Sequence, residues 1–383
     1  TWRAESGGEC REACDAALAT GYQLLDTASG YDNEEDVGAA IAESGRSREE
    51  IFVVTKHSGA HGYTRSQGTE SLCEAVAEHL AGYGIPANGE DVVITPGCKQ
   101  AVLYALMTTL QPGDEVLLLS PAWPSYDGMV RIAGGRPVHV PVRRDDYHPD
   151  LALLHAAITP RTKAIMLNSP NNPTGAVYSR DEIEAIVALA AEFDLWIYDD
   201  MIYAPLAFGD HRYTSPASLP GGAERTVTIG GWSKGWAMTG WRLGWITAPA
   251  EVMVAVKTLQ TSAATHVPTF LMPAAEIALG LEEEVRAMRE SFNERRVKMH
   301  AGLQTIPGLS TPLPEGAFYA LVDVTGTGMD DLTFATRALE EARVAVIPGS
   351  LMQGGEGLIR MSYATTAADI DEGLARLRSW LGG

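Results

Sequence analysis

Short apolar runs alternate with amphipathic stretches over residues 91–249. Asp91-Val-Val-Ile-Thr precedes an amphipathic stretch from Lys99 to Leu110, and Glu115-Val-Leu-Leu-Leu follows it. Later runs such as Ala164-Ile-Met-Leu are apolar throughout, which is typical of strands buried on both faces. Strands that alternate with helices favour a mainly parallel sheet with helices on both faces. The pattern therefore predicts a three-layer α/β fold for this part of the chain.

The pattern changes after about His266. Charged helical stretches become longer, with residues 282–300 the clearest, and short apolar runs follow at 317–322 and 344–347. Long helices beside a few short strands indicate a smaller α+β domain.

Three segments follow from these patterns, and 383 residues are enough for two domains with separate cores. Residues 1–60 differ from the rest and do not form a complete domain. Residues 61–265 are the predicted large domain, and residues 266–383 are the predicted small C-terminal domain.

The chain is acidic, with a formal net charge of -20 at pH 7. Nucleic acids and anionic membranes would repel it, so neither is an expected partner. No run approaches ~18 uninterrupted apolar residues, which argues against a transmembrane helix. The four cysteines (Cys10, Cys14, Cys73 and Cys98) include no CxxC pair, and no histidine cluster has metal-ligand spacing. We therefore expect a reduced, cytoplasmic protein without a metal site.

The segment Gly231-Trp-Ser-Lys-Gly-Trp-Ala-Met-Thr-Gly-Trp-Arg-Leu-Gly244 carries an amine and a fixed cation eight residues apart. Lys234 can form a Schiff base with the aldehyde of pyridoxal phosphate, while Ser233 and Arg242 can hold its phosphate. From this segment alone, a surface lysine and arginine beside turn glycines is an equal alternative.

Three further segments favour the cofactor site. In Asn168-Ser-Pro-Asn-Asn-Pro-Thr-Gly175, Asn172 can donate to the phenolate oxygen of the cofactor. In Leu195-Trp-Ile-Tyr-Asp-Asp-Met-Ile-Tyr203, the carboxylate of Asp200 can keep the pyridine nitrogen protonated. In Thr95-Pro-Gly-Cys-Lys-Gln-Ala, a glycine turn begins an apolar helix, whose free N–H groups favour a phosphate.

These motifs resemble those of the fold-type I pyridoxal-phosphate aminotransferases, in particular the class I/II, aspartate aminotransferase-like branch. NxPxNPTG, DxxY and SKxxxxxxxR occur in the family's order, and the resemblance runs from about Gly62 to Leu381. It implies a three-layer, mainly parallel α/β sheet with a smaller α+β C-terminal domain. It also implies pyridoxal 5'-phosphate as cofactor, with an L-amino acid and a 2-oxo acid as substrates.

The resemblance assigns roles to individual residues. Lys234 would bind the cofactor and move protons, with Asp200 and Tyr203 as the other catalytic residues. Trp123 would stack on the cofactor ring, and Arg360 would bind the substrate α-carboxylate as a bidentate pair. The implied cofactor-binding residues are Tyr63, Gly97, Cys98, Lys99, Trp123, Asn172, Asp200, Tyr203, Ser233, Lys234 and Arg242. The implied substrate-binding residues are Lys99, Trp123, Asn172 and Arg360.

Two positions bear on the partner and the substrate. Tyr63, five residues before Gly68, matches a tyrosine that reaches the phosphate of the partner subunit, which implies a homodimer. Lys99 matches a lysine that contacts the distal carboxylate of the substrate in bacterial aspartate aminotransferases of this branch. A solvent-facing lysine at a helix N-terminus is the equal alternative. Aspartate or glutamate, with 2-oxoglutarate or oxaloacetate, is the expected substrate set.

The N-terminal segment resembles a different family. Residues 21–38 and 50–56 are similar to the opening of an aldo-keto reductase barrel, which implies Asp26, Tyr31 and Lys56 as members of that family's catalytic tetrad. The fourth member, a histidine in an HxP context, has no counterpart, and a (β/α)₈ barrel needs ~250 residues. An NADPH-dependent reductase is therefore a remote alternative.

The sequence is also compatible with two functions besides transamination and carbonyl reduction. A β-eliminating or decarboxylating pyridoxal-phosphate enzyme is compatible because fold and cofactor do not fix the reaction. Arg360 favours transamination, since a carboxylate held in the ring plane directs cleavage to the Cα–H bond. A non-enzymatic regulator would need a DNA-binding module, and the acidic chain shows no basic helix-turn-helix.

Overall fold

The computed structural model describes residues 8–27, 31, 33–54 and 62–382. The chain divides into two compact units. Residues 1–64 and 268–270 form the N-terminal unit, and residues 65–267 and 271–383 form the main unit.

The N-terminal unit has a strand–helix–strand order after its first helix. Its elements are α1 (Glu9–Ala19), β1 (Leu24–Asp26), α2 (Glu34–Glu43) and β2 (Phe52–Val54). The two strands pair in parallel, and both helices contribute to one small apolar core. The core residues are Cys10, Cys14, Leu18, Leu25, Val37, Ala40 and Ile51. The described part of this unit contains two strands, whereas a reductase barrel requires eight.

A seven-stranded sheet forms the centre of the main unit. Its strands are β3 (Val92–Thr95), β4 (Glu115–Ser120), β5 (Arg136–Pro141), β6 (Thr162–Asn168), β7 (Trp196–Asp200), β8 (Thr226–Gly231) and β9 (Gly244–Thr247). Their order is β3-β9-β8-β7-β6-β4-β5, and β9 is antiparallel to both of its neighbours. The strands from β8 to β5 are parallel, which confirms the predicted mainly parallel sheet.

Helices cover both faces of this sheet. The helices up to the last strand of the sheet are α3 (Glu70–Ala81), α4 (Cys98–Thr109), α5 (Ser125–Ile132), α6 (Leu151–Ala156), α7 (Arg180–Glu192) and α8 (Trp232–Gly235). Those that follow are α9 (Ala250–Ala263) and α10 (Met272–Leu279). The last three helices, α11 (Glu282–Leu303), α12 (Asp331–Glu340) and α13 (Ala367–Gly382), share a separate core cluster in the C-terminal part of the main unit. Val116 and Leu118 of β4 pack in a cluster with α4, whereas Leu117 and Leu119 pack in a cluster with α7. The three predicted layers are therefore present. Among the helices of the described residues, none combines the length and apolar character needed to cross a membrane.

A smaller antiparallel sheet follows in the C-terminal part of the main unit. Its strands are β10 (Tyr319–Asp323), β11 (Ile347–Pro348) and β12 (Leu358–Ser362), in the order β10-β12-β11. The predicted long helix is confirmed as α11. The predicted strand at 344–347 is wrong except at Ile347, because the Val344 N–H donates to the Ala338 carbonyl at the end of α12. Both sheets belong to one compact unit, and the domain boundary at 265/266 stays a prediction.

His148 connects the two sheets of the main unit through a pair of carboxylates. Its Nδ1 lies 2.8 Å from Glu182 Oε2 in the first turn of α7, and its Nε2 lies 3.0 Å from Glu315 Oε2, shortly before β10. Burial opposes the positive charge, but the hydrogen bonds to both glutamates outweigh burial and raise the pKa of His148 to about 10. His148 is therefore the shared cation of two acidic side chains.

We expect His148→Gln to lower the free energy of unfolding by about 2 to 3 kcal/mol near pH 6, because two carboxylates lose their common cation. The folded pKa of about 10 exceeds the unfolded value of 6.5, so the stabilisation is complete below pH 6.5 and declines as the pH rises towards 10. Urea unfolding across this range measures the difference. His155→Gln, at an exposed histidine of α6, is the control, and a loss that does not shrink towards pH 10 would contradict the assignment.

Candidate active site

A cavity of about 320 Å³ lies at the carboxyl ends of the parallel strands. Asn168 at the end of β6 pairs with Asp200 at the end of β7, which in turn pairs with Ile229 of β8. Ligands bind at this edge in open α/β sheets. The lining residues are Cys98, Lys99, Trp123, Tyr126, Asn168, Asn172, Asp200, Ile202, Tyr203, Ser233, Lys234, Thr239, Arg242, Tyr319 and Arg360.

Lys234 enters the cavity from α8, a short helix directly after β8. Its Nζ lies 5.5 Å from the centroid of the Phe318 ring. Burial lowers the pKa of Lys234, and the positive charges of Arg242 and Arg360 act in the same direction. A larger fraction of the amine is therefore unprotonated near neutral pH than for an exposed lysine, which suits a nucleophile and a base.

Asp200 is the acidic group of the cavity and is 2% exposed. Its Oδ2 accepts a hydrogen bond of 2.5 Å from the Tyr126 hydroxyl, and its Oδ1 accepts one from the Ile202 N–H. Burial raises the pKa of Asp200 to about 6, although both hydrogen bonds oppose the shift. A cation placed against this carboxyl would favour its ionised form.

Arg360 belongs to β12 of the small sheet and contacts Asn172, which follows β6 of the large sheet. Its Nη1 donates to Asn172 Oδ1 at 2.9 Å, and its guanidinium carbon lies 4.7 Å from the centroid of the Tyr319 ring. The Tyr203 hydroxyl donates to the Tyr319 hydroxyl at 3.3 Å. Tyr319 thus contacts both Arg360 and Tyr203.

The start of α4 and the arginine after α8 form a cradle for an anion. Gly97 has a φ of 82°, and a Cβ at this position would lie 2.5 Å from Arg242 Nη2. The Arg242 Nη1 donates to the Thr239 carbonyl at 2.9 Å, which fixes the guanidinium near the helix N-terminus. The Cys98 thiol donates to the Gly230 carbonyl at 2.7 Å, so an anion contact of Cys98 would come from its backbone N–H.

Lys99 and Trp123 line the cavity together. The Lys99 Nζ lies 5.0 Å from the centroid of the Trp123 indole ring. Lys99 is thus an exposed residue that lines the cavity, and both its contact with a substrate carboxylate and the solvent-facing alternative stay predictions.

Two sequence-predicted sets of residues belong to the N-terminal unit or fall outside the described residues. Tyr63 belongs to the N-terminal unit, where its side chain is exposed, and its contact with a second subunit stays a prediction. Asp26 is the last residue of β1, and Tyr31 lies before α2. Lys56 lies outside the described residues. The membership of these three residues in a reductase tetrad is therefore an implication of the resemblance that stays untested.

Sequence reasoning missed Tyr126 and Tyr319. Tyr126 follows Trp123 by three positions, a spacing that could have placed both on one side of a helical turn. Tyr319 has no comparable signal, because an aromatic residue in an apolar run is usually a core residue.

The charges of the cavity fit a phosphorylated pyridine aldehyde and an amino acid. Among the described residues, no carboxylate lies within 4.0 Å of the nitrogens of Lys234, Arg242 or Arg360. Two fixed cations are thus available to a phosphate and a carboxylate. The buried acid Asp200 can hold a protonated ring nitrogen, and Lys234 supplies the amine. Because Gly97 has no side chain, the Arg242 guanidinium can lie beside the helix N-terminus.

Known proteins share this architecture. The sequence profile described as Aminotransferase class I and II matches residues 28–377. An aspartate aminotransferase of Streptomyces avermitilis is 39% identical over 334 residues, which cover 84% of this chain and 82% of that protein. The crystal structure of an aromatic aminotransferase from Pyrococcus horikoshii OT3 superposes with a TM-score of 0.83 at 38% identity, covering 85% of this chain and 88% of the other. An aspartate aminotransferase from Thermus thermophilus with maleate has a TM-score of 0.79 at 34% identity, covering 98% and 97%.

The profile match spans most of the chain and includes every residue that lines the cavity. The relatives share more than a third of their residues with this chain over most of both lengths. The chain therefore belongs to the class I and II aminotransferase family, and it is a pyridoxal-phosphate-dependent aminotransferase.

Proposed function

We propose that this aminotransferase acts on the dicarboxylic amino acids aspartate and glutamate, with 2-oxoglutarate or oxaloacetate as the amino acceptor. The observation that carries the proposal is Lys99, which lines the cavity in addition to Lys234, Arg242 and Arg360. With Arg242 assigned to the phosphate and Lys234 to the aldehyde, a substrate with two carboxylates could use Arg360 and Lys99, whereas a monocarboxylic substrate would leave Lys99 unpaired. The Thermus thermophilus relative, whose structure contains the dicarboxylate maleate, supports the same choice.

We assign the anchoring of the cofactor to four groups of residues. Ser233, Arg242 and the N–H groups after Gly97 would bind the phosphate, as a helix N-terminus and a cation together favour an anion. Asp200 would hold a proton on the ring nitrogen, and Tyr126 would keep its carboxylate in place. The remaining assigned contacts are those of Asn172 and Tyr203 with the phenolate oxygen, and of Trp123 with the ring face.

The chain's own groups account for the proton transfer of the reaction. Pyridoxal phosphate, when bound, supplies the aldehyde that takes the amino group and a ring that withdraws electrons. Arg360, already oriented by Asn172, would fix the substrate carboxylate and so direct the Cα–H bond. Lys234 Nζ, with its lowered pKa, would remove the proton from the substrate Cα.

The family resemblance also supports a homodimer, in which Tyr63 would reach the phosphate of a second subunit. The cytoplasmic location rests on cysteine usage and stays a prediction.

The substrate proposal is tested at Lys99. We expect Lys99→Ala to raise the KM for aspartate and 2-oxoglutarate by about tenfold to a hundredfold, because a lost hydrogen bond to a charged group costs ~1.5–3 kcal/mol. The KM for alanine, which has no distal carboxylate, should change less than about twofold. Steady-state kinetics with matched amino donors measure both.

Lys257→Ala is the matched control, because Lys257 lies on α9 and does not line the cavity. Its kinetics with aspartate and alanine should equal those of the wild type. If Lys99→Ala affected aspartate and alanine equally, Lys99 would not bind a distal carboxylate.

A further inference from the structure

A Ser–His–Asp array lies beside the active-site cavity and has no part in the transamination chemistry itself. His139 Nδ1 lies 2.7 Å from the Ser120 hydroxyl oxygen, and His139 Nε2 lies 3.1 Å from Asp127 Oδ1. Ser120 ends β4, His139 belongs to β5, and Asp127 is in the first turn of α5. The array therefore joins two strands and one helix.

The two residues that His139 contacts are the ends of one short segment. Residues 120–127 run from the last residue of β4 into α5 and carry both Trp123 and Tyr126. Both of these side chains line the active-site cavity, and Tyr126 donates to Asp200. His139 thus links the two ends of the segment that supplies one wall of the site.

Trp123 also borders a second cavity, of about 290 Å³, on the side of the array. His139 and Asp127 line this second cavity. The indole of Trp123 is therefore not supported on all sides by close packing, so its position depends on how firmly the backbone of the segment is held.

A nucleophilic role for this array is excluded by burial. Ser120 is 3% exposed and does not line either cavity. A carbonyl substrate could not approach its hydroxyl, and a nucleophile must be reachable before a base can activate it. Asp127 is also shared with Arg131, whose Nε donates to it at 2.7 Å.

The hydrogen bonds of the array can be satisfied whether or not His139 carries a proton on both nitrogens. Neutral His139 can donate to Asp127 from Nε2 and accept from the Ser120 hydroxyl at Nδ1. Doubly protonated His139 can donate from both nitrogens, because the Ser120 hydroxyl has a second acceptor, the Leu118 carbonyl, at 3.2 Å. The charged groups facing His139 are Asp127 and Arg131, both from α5. Rotation of the Ser120 hydroxyl therefore lets His139 bridge Ser120 and Asp127 in both states.

We propose that His139 is a positioning residue for the cofactor, which through Ser120 and Asp127 holds the segment carrying Trp123 and Tyr126 in its binding conformation. The inference rests on the proposed roles of those two residues. Removal of the imidazole would let the segment sample other positions, and the bound geometry would then have to be selected from a wider ensemble.

The test is the dissociation constant of pyridoxal phosphate, measured by titrating it into cofactor-free protein and following the visible absorption and tryptophan fluorescence. We expect His139→Ala to raise the constant about tenfold, equivalent to ~1.4 kcal/mol. kcat should fall, and the KM for the amino donor should stay within about twofold of wild type. Ser120→Ala, which deletes a single hydroxyl, should act in the same direction and serves if His139→Ala does not fold.

Two substitutions at Asp127 test whether its hydrogen bond to His139 is what matters. Asp127→Asn keeps an oxygen that accepts from His139 Nε2, so its dissociation constant should be close to that of the wild type. Asp127→Ala should match His139→Ala, and the double variant should be no worse than either single one, because all act through one segment. His155→Ala is the control for loss of a histidine outside both cavities.

The outcomes separate this inference from the proposed function. Folded His139→Ala and Asp127→Ala proteins with wild-type dissociation constants, even with lowered Tm, would overturn the positioning role. Wild-type protein that binds pyridoxal phosphate without a visible band and does not transaminate would overturn the assigned site itself. A tenfold rise in the dissociation constant of His139→Ala and Asp127→Ala, together with a constant close to wild type for Asp127→Asn, supports the inference.

Discussion

Lys234→Ala is expected to abolish transamination, with turnover lowered by at least about 10,000-fold. The variant loses the amine that would join the cofactor aldehyde and the base that would remove the Cα proton. The charges around the cofactor would remain, since Arg242 and Arg360 belong to other elements. Steady-state rates with aspartate measure the loss, and mass spectrometry after borohydride reduction measures the covalent link. Wild-type protein should gain the mass of the cofactor, and the variant should not.

Lys234→Arg separates charge from base chemistry. An arginine keeps a cation in the cavity but does not release its proton near neutral pH, so it should be as inactive as the alanine variant. Lys298→Ala removes a lysine that pairs with Asp371 on the surface and should leave turnover unchanged. A Lys234→Ala protein that keeps more than a few per cent of wild-type turnover would refute the assignment.

The parallel sheet was predictable because its strands are buried on both faces. All six residues of β4 and of β8 are buried, and the four residues from Val116 to Leu119 of β4 appear in the sequence as a continuous apolar run. The small sheet was less predictable, since its strand ends depend on distant partners. Val344 is kept out of β11 by the end of α12, and the Ala317 N–H donates to the Leu206 carbonyl, so β10 begins only at Tyr319. No local pattern encodes those contacts.

The residues of the candidate site were likewise predictable from the sequence only in part. Asn168, Asp200 and Lys234 were predictable as neighbours because parallel strands bring their carboxyl ends to one edge. Tyr126 was missed because its partner Asp200 is 74 residues away, and Tyr319 because it reaches the site from the other sheet. The cavity therefore contains residues that sequence motifs mark and residues that only the packing of the two sheets reveals.

Asp200→Asn is expected to lower kcat by about 100- to 1000-fold while cofactor binding is largely retained. Asparagine has nearly the same size, and its amide oxygen can still accept from the Tyr126 hydroxyl. It has no negative charge, however, so the ring nitrogen facing it would lose its proton and the ring would withdraw electrons less strongly. Single-turnover rates with aspartate separate this chemical effect from substrate binding. An unchanged rate would mean that Asp200 does not contact the ring nitrogen.

Asp199→Asn is the matched control, because Asp199 is the preceding residue of β7, is 1% exposed and does not line the cavity. Its Oδ2 accepts from the hydroxyls of Tyr213 and Ser215, which an amide oxygen can replace. Burial raises the pKa of Asp199 from 3.8 to about 7, so its contribution to stability is complete below pH 3.8 and is lost as the pH rises through 7. The amide has no charge to bury. We therefore expect Asp199→Asn to keep wild-type turnover. The Tm of the variant minus the Tm of the wild type should increase as the pH rises from about 4 to about 7. A kcat loss in Asp199→Asn as large as in Asp200→Asn would show that both substitutions act by disturbing the strand rather than through the charge at residue 200.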